Sequence, residues 1–136
     1  MDTPSVTRTG TRQYVADNGK GSTLEIGYGP GQFSPGDLLK LAVLGCNALS
    51  SDARFARALG DDFELFGSVA ADYLEADDRF TTFQVDLKPV MPFIDPQARE
   101  QLLRRASKAI ERNCTITHTV KAGAQVEFSI DGTPCG

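Results

Sequence analysis

Alternating polar and apolar positions over residues 6–14 and again over 22–28 carry β-branched and aromatic side chains among polar ones. The link Asp17-Asn18-Gly19-Lys20-Gly21 between them is rich in turn formers, and the pair predicts a β-hairpin. The pattern then changes period. Ser34 suits an N-cap, Pro35 the first helical position, and Asp37 can complete a capping box. From residue 38 to 49 the predicted helix is apolar on nearly every side, with Lys40 as its one charge. A helix of that kind belongs at the centre of a domain. Polar Ser50-Ser51-Asp52 suggests a kink or break before a further turn through Arg57. Residues 63–73 and 80–90 alternate again around the acidic turn Glu75-Ala76-Asp77-Asp78, giving a second hairpin. Asp95-Pro96 restarts a helix over 97–112, in which Ala98, Leu102, Leu103, Ala106, Ala109 and Ile110 form one stripe. Residues 115–120 and 125–130 read as short closing strands.

The order β-β-α-β-β-α-β-β predicts an α+β domain with antiparallel sheets around two central helices. At 136 residues the chain reads as a single domain, residues 1–136, with 130–136 as a loose tail. The second helix is amphipathic and the first is not, so the first needs cover on both sides, which a partner subunit could supply.

Composition narrows the function classes. Net charge is −4, and Arg99, Arg104, Arg105, Lys108 and Arg112 are interleaved with Glu100 and Glu111, which argues against nucleic acid as a partner. No stretch reaches the roughly 20 apolar residues of a membrane span. The N-terminus lacks the charged-then-apolar pattern of a secretory signal, so the expected location is cytoplasmic. The glycine-rich run 27–32 lacks the lysine of a P-loop and the spacing of a dinucleotide fingerprint, and reads as a connector.

Three cysteines remain. In a reducing compartment they point away from a disulfide framework and toward catalysis or metal. Metal is the weaker branch, because there is no C-x-x-C and His118 is the only histidine. Cys46 lies within the apolar helix and Cys114 just after the amphipathic one, so the two thiols could meet as a redox pair. On residue chemistry alone, packing as a small hydrophobe is the commoner role for each. Cys46 is some three turns into its helix, beyond the reach of the helix dipole, and a reactive thiol there needs a cation from elsewhere. Arg8, Arg12 and the more distant Arg79 are available. Cys135, in the Gly/Pro-bearing tail, has no assigned role.

The run Phe33-Ser34-Pro35-Gly36-Asp37-Leu38-Leu39-Lys40-Leu41-Ala42-Val43-Leu44-Gly45-Cys46 resembles the OsmC/Ohr family of hydroperoxide-reducing proteins. The family's central helix starts "(N/S)-P-x-E-L-L" and ends "A-x-x-(G/A/S)-C". Glu111-Arg112-Asn113-Cys114 occupies the place of the second family cysteine, and the element order resembles that fold from Arg8 to Ile130. The resemblance implies an intertwined homodimer with active sites at the subunit interface. It implies Cys46 as peroxidatic thiol, Cys114 as resolving thiol, organic hydroperoxides as substrates, and an external lipoyl-type dithiol as reductant rather than a bound cofactor. Where the organic-hydroperoxide-resistance branch has glutamate after the helix-start proline, this chain has Gly36, with Asp37 one position on. Arg12 is the preferred activating arginine, with Arg8 the alternative and Asp37 positioning it. Phe33, Leu38 and Phe93 are expected to line the site. A second reading is a non-catalytic dimer that binds a small apolar or thiol ligand at the interface. A third is a structural dimer with inert thiols.

Overall fold

The computed structural model describes residues 3–92 and 94–136; Phe93, expected beside the site, lies outside them. The chain runs β1 (Ser5–Gly10), β2 (Gln13–Asp17), β3 (Thr23–Ile26), α1 (Pro35–Leu59), β4 (Leu65–Leu74), a 3-10 turn (Glu75–Asp77), β5 (Arg79–Pro89), α2 (Pro96–Asn113), α3 (Thr115–Ala122), β6 (Ser129–Ile130) and β7 (Thr133–Pro134). It is an α+β protein with antiparallel sheets, as its patterning predicts. The chain forms two compact units, one made of residues up to Ala42 with Ala70–Phe83, the other of Val43–Val69 with Gln84–Gly136. Helix α1 and strands β4 and β5 contribute to both.

The first unit holds an antiparallel sheet in the order β1-β2-β3, with Arg8 opposite Tyr14 and Tyr14 opposite Ile26. The single strand expected over 6–14 is two strands, folded back at Thr11-Arg12. Arg12 takes a left-handed φ of 59° there, and the register shifts between Arg8 and Gly10. A turn with no glycine at its left-handed position leaves the alternation unbroken, so the pattern could not disclose it. The expected link 17–21 does turn, joining β2 to β3. Asp17 accepts from the Gly19 amide at 2.7 Å and Asn18 from those of Lys20 and Ser22 at 2.8 and 3.1 Å. The glycine-rich run is a connector tied down from within, as Gln32 Oε1 accepts from the Gly29 amide at 2.9 Å.

Helix α1 starts with the expected capping box. Ser34 Oγ accepts from the Asp37 amide at 3.1 Å, and Asp37 Oδ2 accepts from the Ser34 amide at 3.0 Å. The helix continues unbroken through Ser50. Buried Ser51 turns its hydroxyl back onto the carbonyls of Asn47 and Ala48, so its polarity is satisfied within the helix rather than at a break.

In the second unit, Phe55 from α1 packs with Leu102 and Ala106 from α2, joined by Leu59, Phe63, Leu65, Met91 and Ile94. Asp95 caps α2 by accepting from the Ala98 amide at 3.2 Å, with Pro96 in the first position. Of the stripe read from the sequence, Leu102, Ala106 and Ala109 are buried, Leu103 and Ile110 half-buried, and Ala98 at the start of the helix is exposed.

Two closing strands are corrected. Residues 115–120, expected as a strand, belong to α3. Thr-Ile-Thr-His-Thr-Val alternates like a strand, but Cys114 caps the segment and Thr119 Oγ1 bonds the Thr115 carbonyl at 2.9 Å, closing helical turns instead. Of the strand expected over 125–130 only Ser129–Ile130 forms, paired with Thr133–Pro134 across the left-handed Asp131-Gly132 turn. Part of the expected tail is therefore in this hairpin, held also by the Cys135 amide on the Phe128 carbonyl at 3.0 Å. Among the described residues no helix is long and apolar enough to cross a membrane.

Candidate active site

Both thiols lie in the second unit. Cys114 is the hinge residue between α2 and α3, ending one and capping the other. Its amide donates to the Ile110 carbonyl at 3.0 Å, and its sulfur accepts from the Thr117 amide at 3.4 Å. The side chain is fully buried, whereas Cys46 on α1 is half-buried, with its sulfur 4.0 Å from Ser50 Oγ.

Around Cys114 the sequence had not singled out two further groups. Asn47 Nδ2 donates to the Cys114 sulfur at 3.3 Å, to Thr117 Oγ1 at 3.0 Å and to the Val43 carbonyl at 3.0 Å. The Thr117 hydroxyl lies 3.0 Å from the same sulfur and accepts from the thiol. Once the thiol loses its proton, that hydroxyl can turn and donate. Burial pushes the Cys114 thiol up. The hydrogen bonds from Cys46, from the Thr117 hydroxyl and amide, and from Asn47 outweigh it and hold the pKa below the ordinary thiol value. Asn47, the residue after Cys46, thus holds the Cys114 sulfur, which brings the two cysteines into one neighbourhood. A polar amide directly after Cys46 in an otherwise apolar run, and a threonine three residues past a helix-capping cysteine, were the sequence signals for this cradle.

Arg12 and Asp37 lie in the first unit. Arg12 rests over the Tyr28 ring at 5.7 Å, and Arg8 and Arg12 line one cleft of about 450 Å³ with Tyr14, Tyr28 and Pro35. Asp37 spends its carboxylate on the capping box. The Ser34 backbone, then the Ser34 side chain, hold its pKa below the usual carboxylate value, with Lys40 adding a smaller pull. No ion pair joins Asp37 to an arginine among the described residues. Gly36, where the organic-hydroperoxide-resistance branch has glutamate, is covered by Phe80: a Cβ there would stand 3.2 Å from Phe80 Cζ. Lys40 in turn lies over the Phe80 ring at 5.2 Å. Phe33 is exposed and Leu38 half-buried. The exposed Cys135 sulfur contacts the Thr133 carbonyl at 3.1 Å. Among the described residues no group of three or more His, Cys, Asp or Glu side chains converges.

No family model matches the sequence. A hypothetical protein of Aquifex aeolicus VF5 superposes with a TM-score of 0.71 at 11% identity, covering 92% of this chain and 90% of that one. A protein of Psychrobacter arcticus 273-4, provisionally assigned to the osmotic stress and detoxification response, gives 0.66 at 19% identity over 88% of each chain. The organic hydroperoxide resistance protein OhrB of Bacillus subtilis gives 0.50 at 20% identity, over 86% of this chain and 90% of that one. The fold is thus of the OsmC/Ohr type. Within it, the chain belongs to one family with the uncharacterized protein Rv2923c of Mycobacterium tuberculosis (strain H37Rv) and Mb2948c of Mycobacterium bovis. Each is 31% identical over 127 residues, covering 92% of this chain and 93% of its own length.

Proposed function

We propose that the chain is a thiol-dependent peroxidase that reduces organic hydroperoxides, working as a cytoplasmic homodimer. The observation that supports this reading is the buried Cys114, whose sulfur accepts from the Thr117 amide and from Asn47, the residue next to half-buried Cys46. Cys46 thiolate attacks the distal oxygen of the hydroperoxide. The O–O bond breaks, the alkoxide leaves and takes up a proton, and Cys46 becomes a sulfenic acid, oxidised by two electrons. Cys114 thiolate then attacks the Cys46 sulfur, forming the disulfide and releasing hydroxide, which is protonated to water. An external dithiol of lipoyl type returns both cysteines to thiols, with no bound cofactor. Arg12 supplies the positive charge that activates Cys46, with Arg8 in the same cleft as alternative, and Asp37 positions the arginine.

One observation favours a second reading, a non-catalytic dimer holding a small apolar or thiol ligand: Asp37 is occupied by its capping box and Gly36 carries no carboxylate. One equivalent of cumene hydroperoxide added to reduced protein, followed by disulfide mapping, separates the two. Rapid formation of a Cys46–Cys114 bridge, lost in Cys46→Ser and in Cys114→Ser, supports the peroxidase. Two thiols still reduced would transfer the weight to ligand binding.

A further inference from the structure

At the other end of the second unit's helices lies a cleft with no connection to the thiol chemistry. Asn47 meets Cys114 at the C-terminal end of α2, while Phe55 meets Leu102 and Ala106 further back along it. Within this unit α1 and α2 therefore run antiparallel. From Cys46, Arg57 lies about 16 Å further along α1, at 1.5 Å rise per residue.

There a cleft of about 540 Å³ is lined from α1 by Arg54 and Arg57 and from α2 by Gln101 and Arg105, over a floor that includes Ile94 and Leu102. Arg54 and Arg57 are one turn apart on their helix, and so are Gln101 and Arg105, so each pair presents its groups from one face. None of the three guanidinium groups is in an ion pair among the described residues: those pairs involve Arg79, Lys88 and Arg104. The Asp95 carboxylate, next to Ile94 in the chain, accepts from the Ala98 amide at the α2 cap and keeps its charge, but is in no ion pair with these arginines among the described residues. Three unneutralised cations around one cavity repel one another, in a chain whose net charge is −4. Solvent screening makes that repulsion modest, but a bound dianion would convert it into attraction.

We infer that this cleft binds a small organic phosphate, a phosphate monoester with an apolar body. The guanidinium fork matches phosphate oxygens in bidentate fashion, and three forks with one amide suit a group of nearly two negative charges. The apolar floor suits the organic body, and the volume falls in the range of ligand pockets. A free anion would use the arginines and leave Ile94 and Leu102 in water; an uncharged apolar ligand would do the reverse. The site needs both parts of the ligand.

1-Naphthyl phosphate, followed by its own fluorescence, is a direct probe on the intact chain. Saturable binding is expected at least tenfold tighter than for 1-naphthol or inorganic phosphate in competition, weakening as salt is raised. Arg54→Ala with Arg57→Ala, and separately Arg105→Gln, should each weaken it tenfold or more while the circular-dichroism melt is kept. Arg104→Ala, which removes an arginine paired with Glu100 outside the cleft, should leave it unchanged. Naphthol binding as tightly as the phosphate, or unchanged binding in both arginine variants, would overturn the proposal. So would absence of binding accompanied by a drop in sedimenting mass in the double variant, which would give the cleft to a second copy of the chain.

Discussion

Asn47 shares the two hydrogens of one amide among a carbonyl, a hydroxyl and a sulfur, and the sulfur is the acceptor that gains most by becoming charged. Removing this donor in Asn47→Ala should raise the Cys114 pKa. With Cys114 thiolate as the attacking group, the rate of disulfide closure rises with pH up to the thiol's lowered pKa and is flat above it. Asn47→Ala should displace that inflection upward and slow closure below it by about tenfold, the scale of one hydrogen bond to a charged group. Stopped-flow closure against pH checks this; an unmoved inflection would mean that Asn47 only packs. Linkage carries the same sign into stability. A depressed thiol pKa stabilises the reduced fold above the free-thiol range, and that contribution is lost as pH falls through the folded value. At this scale the sequence disclosed the two cysteines because thiols are rare and chemically distinct. It hid Asn47 and Thr117, whose residue types are common and whose role exists only once α3 is a helix.

Helix α1 shows how local chemistry and packing share the work at the scale of elements. Its start was legible, since Ser34, Pro35 and Asp37 carry their roles in their spacing. The same box sets a test of Asp37. Ser34→Ala removes only the cap and should cost about 1 kcal/mol in stability. Asp37→Asn should cost a similar amount, and if Asp37 also positions an arginine it should lower the peroxidase rate further than Ser34→Ala does. Equal rates in the two variants, each measured well below its melting temperature, would confine Asp37 to capping. Strand β4 offers a second test. A Cβ on Gly67 would stand 3.0 Å from Leu44 Cδ1 and 3.2 Å from Leu87 Cδ2, so Gly67→Ala should destabilise by about 1–3 kcal/mol, read from denaturant midpoints. An unchanged midpoint would mean that both leucines yield freely. The sequence missed α3 because period-two alternation in a threonine-rich run is the strand signal, and the cap that overrides it is a cysteine rather than one of the usual capping residues.

For the whole chain, the question is what covers the surface that folding leaves bare. The bare positions include large apolar side chains: Leu49 on α1 is 78% exposed, Phe66 on β4 69% and Tyr28 73%. Leu49 belongs to the helix whose all-round apolar pattern calls for cover on both sides, and which side stays open was not readable in the sequence. A homodimer of about 29 kDa is therefore expected by sedimentation equilibrium at micromolar concentration, from twice the chain mass. Leu49→Glu with Phe66→Glu should shift it toward the 14.6 kDa chain, because a carboxylate buried in an apolar interface finds no partner. Both thiols lie in one unit of one chain, with Asn47 next to Cys46 bonded to the Cys114 sulfur, so monomers should still close the Cys46–Cys114 bridge when oxidised, and any accompanying loss of turnover would belong to groups that the second chain brings. Wild-type protein sedimenting as a monomer at these concentrations would refute the dimer and leave its exposed apolar surface without an account.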